Sequence, residues 1–244
     1  LLVFAGLWPG GFSHDLWIPA EPQVYAAVEN FIRGGNAWMP AVLGEPYFDV
    51  SPVYVWVAAF FQTALSPWAA DVYSASRFAT VLFTAIGLTG CGMAGYRFLG
   101  RHQGRSVVLI LIGCAGLMMS GHFLGGMSVV FAALGMCLYG FSLVQTRVIM
   151  AALLLGAGWA LLSLSAGWLL AAAFMLMALG LPLSRQWRIK RYYITLIGAF
   201  AVALPLMSVY PFALYHTAAA AFFVWWQYPL FGDFGGSASF QTAF

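Results

Sequence analysis

From residue 69 onward the chain is a succession of apolar runs broken by short polar turns. The runs cover about Ala69–Phe98, Ser106–Ser120, Met127–Val144, Val148–Leu164, Trp168–Leu183 and Ile194–Val209. An uncharged run of roughly twenty residues is long enough to cross a bilayer as a helix, so six spans are predicted. Polarity does not alternate along these runs, which excludes the strand pattern of a membrane β-barrel. Leu1–Trp8 reads as the end of an earlier span, broken by Pro9-Gly10-Gly11. With no starting Met and no closing element after Gly235, the chain is expected to be an N-terminal fragment, cut inside its first span and continuing past Phe244.

One long stretch departs from this pattern. Pro19–Trp56 cannot be a span and holds Glu21, Glu29, Glu45 and Asp49, four of the seven acidic residues. Within it Glu21–Ile32 predicts a short helix. Pro22 suits the first turn, Val24, Ala27, Val28 and Phe31 share a face, and Gly34-Gly35 stops it. Pro52–Leu65 is apolar but only fourteen residues long, a length that suits a helix lying in the membrane interface with Tyr54 and Trp56 at headgroup depth. The tail from Tyr210, with Trp225-Trp226, predicts a second interfacial helix. Residues 9–68 thus form a first outer loop, 69–209 the six spans and 210–244 an outer tail. Together they make one all-α polytopic transmembrane bundle.

Composition supports this. The chain is 63% hydrophobic and 7% charged with a mean hydropathy of +0.88, against about 25% charged residues in soluble domains. Sorting the charges over alternating spans puts Arg97, Arg101, Arg105, Arg147, Arg185, Arg188, Lys190 and Arg191 on one side, eight of the ten basic residues. All seven acids fall on the other. The positive-inside rule makes the basic side cytoplasmic and the Pro19–Trp56 loop external, periplasmic or extracellular in a bacterial inner membrane. The basic residues form no stripe for nucleic acid. Cys91, Cys114 and Cys137 each sit in an apolar run, which is no disulfide framework. Glycines spaced as at Gly87, Gly90, Gly156 and Gly158 predict close helix packing. No ionisable residue lies mid-span, which argues against an ion or proton pathway.

The chemistry is therefore sought in the outer loop. Glu21 opens a helix, where the dipole favours a carboxylate. Asp49 stands between Tyr47-Phe48 and Pro52, where the chain meets the membrane surface. Either acid suits a general base or a metal ligand. His122, at the outer end of a span, suits a metal ion or a lipid phosphate. Arg33 and Arg77, the two outer basic residues, suit phosphate contact or neutralisation of nearby acids. His14, His102 and His216 are assigned no role.

The loop also resembles the first extracytoplasmic loop of the lipid-linked-sugar glycosyltransferases, the group of the aminoarabinose transferases and protein O-mannosyltransferases. The residues that carry it are Pro19-Ala20-Glu21-Pro22-Gln23, Glu29-Asn30-Phe31, Gly35-Asn36-Ala37-Trp38-Met39-Pro40 and Gly44-Glu45-Pro46-Tyr47-Phe48-Asp49-Val50-Ser51-Pro52-Val53-Tyr54-Val55-Trp56. The resemblance implies a transferase that moves a sugar from a polyprenyl-phosphate donor to a lipid, glycan or protein acceptor at the outer leaflet, among membrane lipids. It implies Glu21 as general base and Asp49 as an organising acid or metal ligand. Tyr47, Tyr54, Arg33, Arg77 and His122 are then substrate contacts, and a divalent metal ion on Asp49 and His122 is the one cofactor it allows. Glu29 and Glu45 are left as solvated loop charges. The chain departs from the family pattern at Ala20, Val50 and Met127, where an acid, a lysine and an acid-bearing loop are expected. Those departures support an alternative, a catalytically degenerate scaffold that binds a lipid carrier or partner. A transporter is the third reading.

Overall fold

The computed structural model describes residues 20–66, 68, 70–114, 116–117 and 121–231. The expected end of an earlier span at Leu1–Trp8, His14, Asp15, Asp233 and the end of the tail lie outside the described residues. The described part is a helical bundle. Helix α1 (Ala20–Ile32) leads into a two-stranded antiparallel hairpin, β1 (Ala41–Val42) with β2 (Glu45–Pro46). Then follow α2 (Pro52–Leu65), α3 (Val72–Leu99), α4 (Gln103–Ile112), α5 (Met127–Leu143), α6 (Val148–Ala166) and α7 (Trp168–Gly180). Two short 3₁₀ turns (Leu181–Leu183, Arg185–Trp187) precede α8 (Lys190–Thr217) and α9 (Ala219–Phe231).

Helices α3, α6 and α8 are long and apolar enough to cross a membrane. The other predicted spans appear as shorter apolar helices over Gln103–Ile112, Met127–Leu143 and Trp168–Leu183. Helix α8 does not stop near Val209 as the apolar run suggested. It continues through Pro205 and Pro211 to Thr217, since in a proline-bearing apolar helix the remaining backbone groups still find partners within the helix. The helix that begins at Val148 runs two residues past the predicted end at Leu164, to Ala166, and breaks at Gly167, whose φ is +84°. Ser165 Oγ donates back to the Leu161 carbonyl within that last turn. The hairpin was not foreseen. It turns on Leu43 (φ +54°) and Gly44 (φ +91°), two left-handed residues in the manner of a two-residue hairpin loop.

The core runs through α3, α5, α6 and α8. Ala133, Cys137, Leu155, Trp159, Leu162, Ala199 and Ala203 fill its centre. Glycines bring the helix backbones together. A Cβ on Gly90 would stand 2.4 Å from the Gly135 carbonyl oxygen, and one on Gly135 would stand 2.5 Å from that of Gly87. No side chain can yield there, because the obstacle is backbone. Gly90→Val is expected to lower stability by about 1–3 kcal/mol through overpacking, read as a lower melting temperature of the purified protein. Wild-type melting would show that α3 and α5 can separate freely.

Candidate functional site

Three elements and one loop converge at the end of the bundle that carries the described acids. Helix α1 brings Glu21 in its first turn. Helix α3 brings Arg77 and Thr80 about two turns from its start, where Asp71 caps the helix by accepting the Ser74 backbone N–H at 3.2 Å. The Ser74 side chain first, and then backbone N–H groups including its own, hydrogen-bond the Asp71 carboxylate and hold it below its ordinary pKa. Helix α2 brings Tyr54. The loop 121–126 is stitched to all three.

Glu21 is the centre of the stitch. Its side chain has no exposed surface. Arg77 Nη2 donates to Oε2 at 3.1 Å, and the Leu124 backbone N–H donates to Oε1 at 2.7 Å. Arg77 is itself 1% exposed. One turn further along α3, Thr80 Oγ1 bonds the Phe123 carbonyl at 2.9 Å and the Tyr54 hydroxyl at 2.8 Å. The loop is closed on its last residue by contact. A Cβ on Gly126 would lie 3.1 Å from the Ser51 nitrogen and 3.6 Å from the Asp49 carbonyl oxygen. Residues 49–51 are therefore packed against Gly126, in the loop whose Leu124 N–H is held by Glu21.

Asp49 occupies a different environment. Its side chain is exposed, while Val50 and Ser51 beside it are buried. The protein packed along its inner side removes enough water to raise the Asp49 carboxyl above its ordinary pKa. Tyr47, half-buried, donates to Gln23 Oε1 at 3.3 Å. Burial, and then the negative charge of Asp49, push its hydroxyl up to about 12. His122 lies half-buried in the 121–126 loop.

The structure thus brings Glu21, Asp49, Tyr54, Arg77 and His122 to one end of the molecule, in unequal settings. Tyr54, expected to meet substrate, is fully buried with its hydroxyl engaged by Thr80. Both basic residues at this end take the charge-neutralising role. Arg77 pairs with Glu21, and Arg33, largely exposed, pairs with Glu29 at 3.0 Å one helical turn away. Glu29 corrects the sequence reading. It is not simply a solvated charge, because it also accepts Gln62 Nε2 at 3.1 Å, and Gln62 Oε1 accepts Ser76 Oγ at 2.9 Å. This chain of polar contacts ties α1 to α2 and α3. Glu45 is exposed on β2, as expected.

Asp49 and His122 alone do not make a metal set, and among the described residues no three His, Cys, Asp or Glu side chains gather as one.

An aromatic wall beside this end escaped the sequence reading. Trp38, between α1 and β1, meets Trp56 at 5.4 Å and Tyr210 at 6.4 Å, and Tyr210 meets Trp225 at 5.4 Å. Trp168 stacks on Trp226 at 4.9 Å and donates to its carbonyl at 3.0 Å. The Trp225-Trp226 pair expected to anchor in the membrane splits. Trp225 is buried in this wall, and Trp226 keeps 46% of its surface exposed. Adjacent helical positions point about 100° apart, and the docking of α9 on Tyr210 and Leu214 decides which one turns inward.

No protein-family model and no curated protein sequence matches the chain. Solved structures do. ArnT from Cupriavidus metallidurans bound to undecaprenyl phosphate aligns over 93% of this chain with a TM-score of 0.65 and 14% identity. The same protein in the apo state aligns over 95% with a TM-score of 0.60 and 14% identity. In each case the chain spans 42% of the length of ArnT. From α1 through the bundle to the aromatic helix α9, this chain has the polytopic helical fold of ArnT, over somewhat less than half of ArnT's length.

Proposed function

We propose that the chain is the N-terminal part of a membrane glycosyltransferase that takes a sugar from a polyprenyl phosphate and passes it to a hydroxyl or amine acceptor at the outer face. The observation that carries this reading is an exposed carboxylate, Asp49, beside the 121–126 loop that buried Glu21 holds through the Leu124 N–H. It is supported by a fold shared with a protein that binds undecaprenyl phosphate.

In this reading the two acids exchange the roles that the motif assigns. Glu21 has both oxygens occupied and no open surface, so it positions the 121–126 loop. Asp49 is the carboxylate that an acceptor can reach. It takes the acceptor proton while the acceptor atom bonds to the anomeric carbon. The bond from that carbon to the phosphate oxygen breaks, and the polyprenyl phosphate leaves with the electron pair. Attack opposite the leaving group inverts the anomeric centre. A base must be ionised to act, and burial raises the Asp49 pKa. The acid limb of the pH–rate profile is therefore expected above the ordinary carboxylate value of about 3.9.

The test is release of polyprenyl phosphate from a labelled polyprenyl-phosphate sugar by the full-length protein in proteoliposomes. Release with a labelled product supports the transferase. The second reading, a degenerate scaffold, has Ala20 and the sealed state of Glu21 in its favour. Tight binding of the lipid with no sugar release would establish it and overturn the transferase.

A further inference from the structure

The opposite end of the bundle carries Arg97, Arg101, Arg105, Arg147, Arg185, Arg188, Lys190 and Arg191, from three separate connections. The fold draws these connections together. Arg97, at the end of α3, donates to the Ser142 carbonyl at 3.3 Å and to Thr146 Oγ1. Arg191, in the first turn of α8, donates to the Gln145 carbonyl. Both reach the turn after α5, which carries Arg147, and both satisfy oxygens left open by the end of that helix. The other six cations have no such use in common. Among the described residues no acid stands within ion-pair distance of any of the eight, since the ion pairs Arg33–Glu29 and Arg77–Glu21 belong to the far end.

One part of this cationic end continues into an apolar surface. Trp187 packs against Phe141 and Tyr192, and the Tyr192 hydroxyl donates to the Ala178 carbonyl at 2.6 Å. This pins the 3₁₀ turn, in which the exposed Arg185 and Arg188 flank Trp187 along the chain. Arg188 Nε also donates to the Pro182 carbonyl at 3.3 Å, which fixes its direction. From Lys190 an exposed stripe climbs α8 through Ile194 (50%), Ile197 (71%) and Leu204 (57%). These positions share one helix face and span about 21 Å at 1.5 Å per residue. The hydrophobic part of α8 is 22% buried, against 56% for α3 and 50% for α6.

We propose that the foot of α8 is a binding site for an anionic phospholipid of the bilayer. The headgroup phosphate lies on Arg188 and Lys190, and an acyl chain lies along Ile194, Ile197 and Leu204. Cations without acidic neighbours attract an anionic ligand, and the stripe that begins at those cations is the right length and chemistry for its tail. A soluble acidic protein would satisfy the cations but not the stripe. This site is independent of the transferase reading, because it lies at the other end of the bundle.

The test titrates the full-length protein in detergent with phosphatidylglycerol or phosphatidylcholine and counts retained lipids by native mass spectrometry. Phosphatidylglycerol is expected to be retained in preference. Arg188→Gln with Lys190→Gln is expected to weaken its retention about 30-fold, at roughly one kcal/mol for each cation lost. Arg101→Gln with Arg105→Gln, on another connection, is expected to change it little, and Arg188→Lys is expected to preserve it. A photoreactive phenylalanine analogue at position 197 is expected to label phospholipid. Equal retention of both lipids, or wild-type retention by the Arg188/Lys190 variant, overturns the site. So does labelling from position 197 of another span of the same chain, of a second protein or of polyprenyl phosphate.

Discussion

Asp49→Asn in the full-length protein is expected to reduce sugar transfer about 10²- to 10⁴-fold, the usual worth of a positioned base, without lowering the melting temperature. The second half follows from the sign of its pKa shift. Burial raises the folded-state value, so the fold favours the protonated, neutral carboxyl. The stabilising contribution is complete below the unfolded pKa of about 3.9 and is lost as pH rises through the higher folded value. At neutral pH an asparagine removes a charge that the fold disfavours. Activity and stability should therefore separate: transfer falls, while melting stays level or rises. Turnover at the wild-type rate would remove Asp49 from the chemistry.

Arg77→Ala is expected to do the reverse and strike the fold first. It strips the partner from a carboxylate with no access to water. Breaking a buried ion pair from one side costs about 3–5 kcal/mol, because a charge is left uncompensated. Glu21 also holds the Leu124 N–H, so the 121–126 loop should loosen at the same time. The measurement is thermal melting of the single variants and of Glu21→Gln with Arg77→Met. The double variant should lose less than the sum of the singles, since neither charge is stranded in it. Strict additivity would mean that the two side chains do not act as a pair. Glu21→Gln alone distinguishes the two carboxylates, because a positioning residue should lower melting along with activity.

Much of the architecture was legible in the chain because membrane helices advertise themselves. A helix of membrane-crossing length needs a long uncharged run, and α3, α6 and α8 each supply one. Helix α1 was legible for a similar reason, from a proline in its first turn, a spaced apolar face and a closing glycine pair. The ends of elements were harder to read. The apolar run suggested an end near Val209, yet α8 runs on to Thr217, because ends depend on where the backbone groups find partners. The hairpin at Leu43-Gly44 had only a glycine to signal it, with a leucine in a left-handed position that leucine rarely takes.

The site divides along the same line. The sequence alone placed all seven acids on one side, four of them in Pro19–Trp56, and eight of the ten basic residues on the other, because charge sorting along alternating spans needs no coordinates. It also singled out Glu21 and Asp49 among the acids. Only the tertiary structure decided which of them is buried. Glu21 and Arg77 are 56 positions apart, and Glu21 and Leu124 are 103 apart. No local pattern can tell that an arginine and a backbone amide will close over one carboxylate and leave the other in water. Burial and ion pairing are properties of what packs around a residue, and in this chain those neighbours come from far along the sequence.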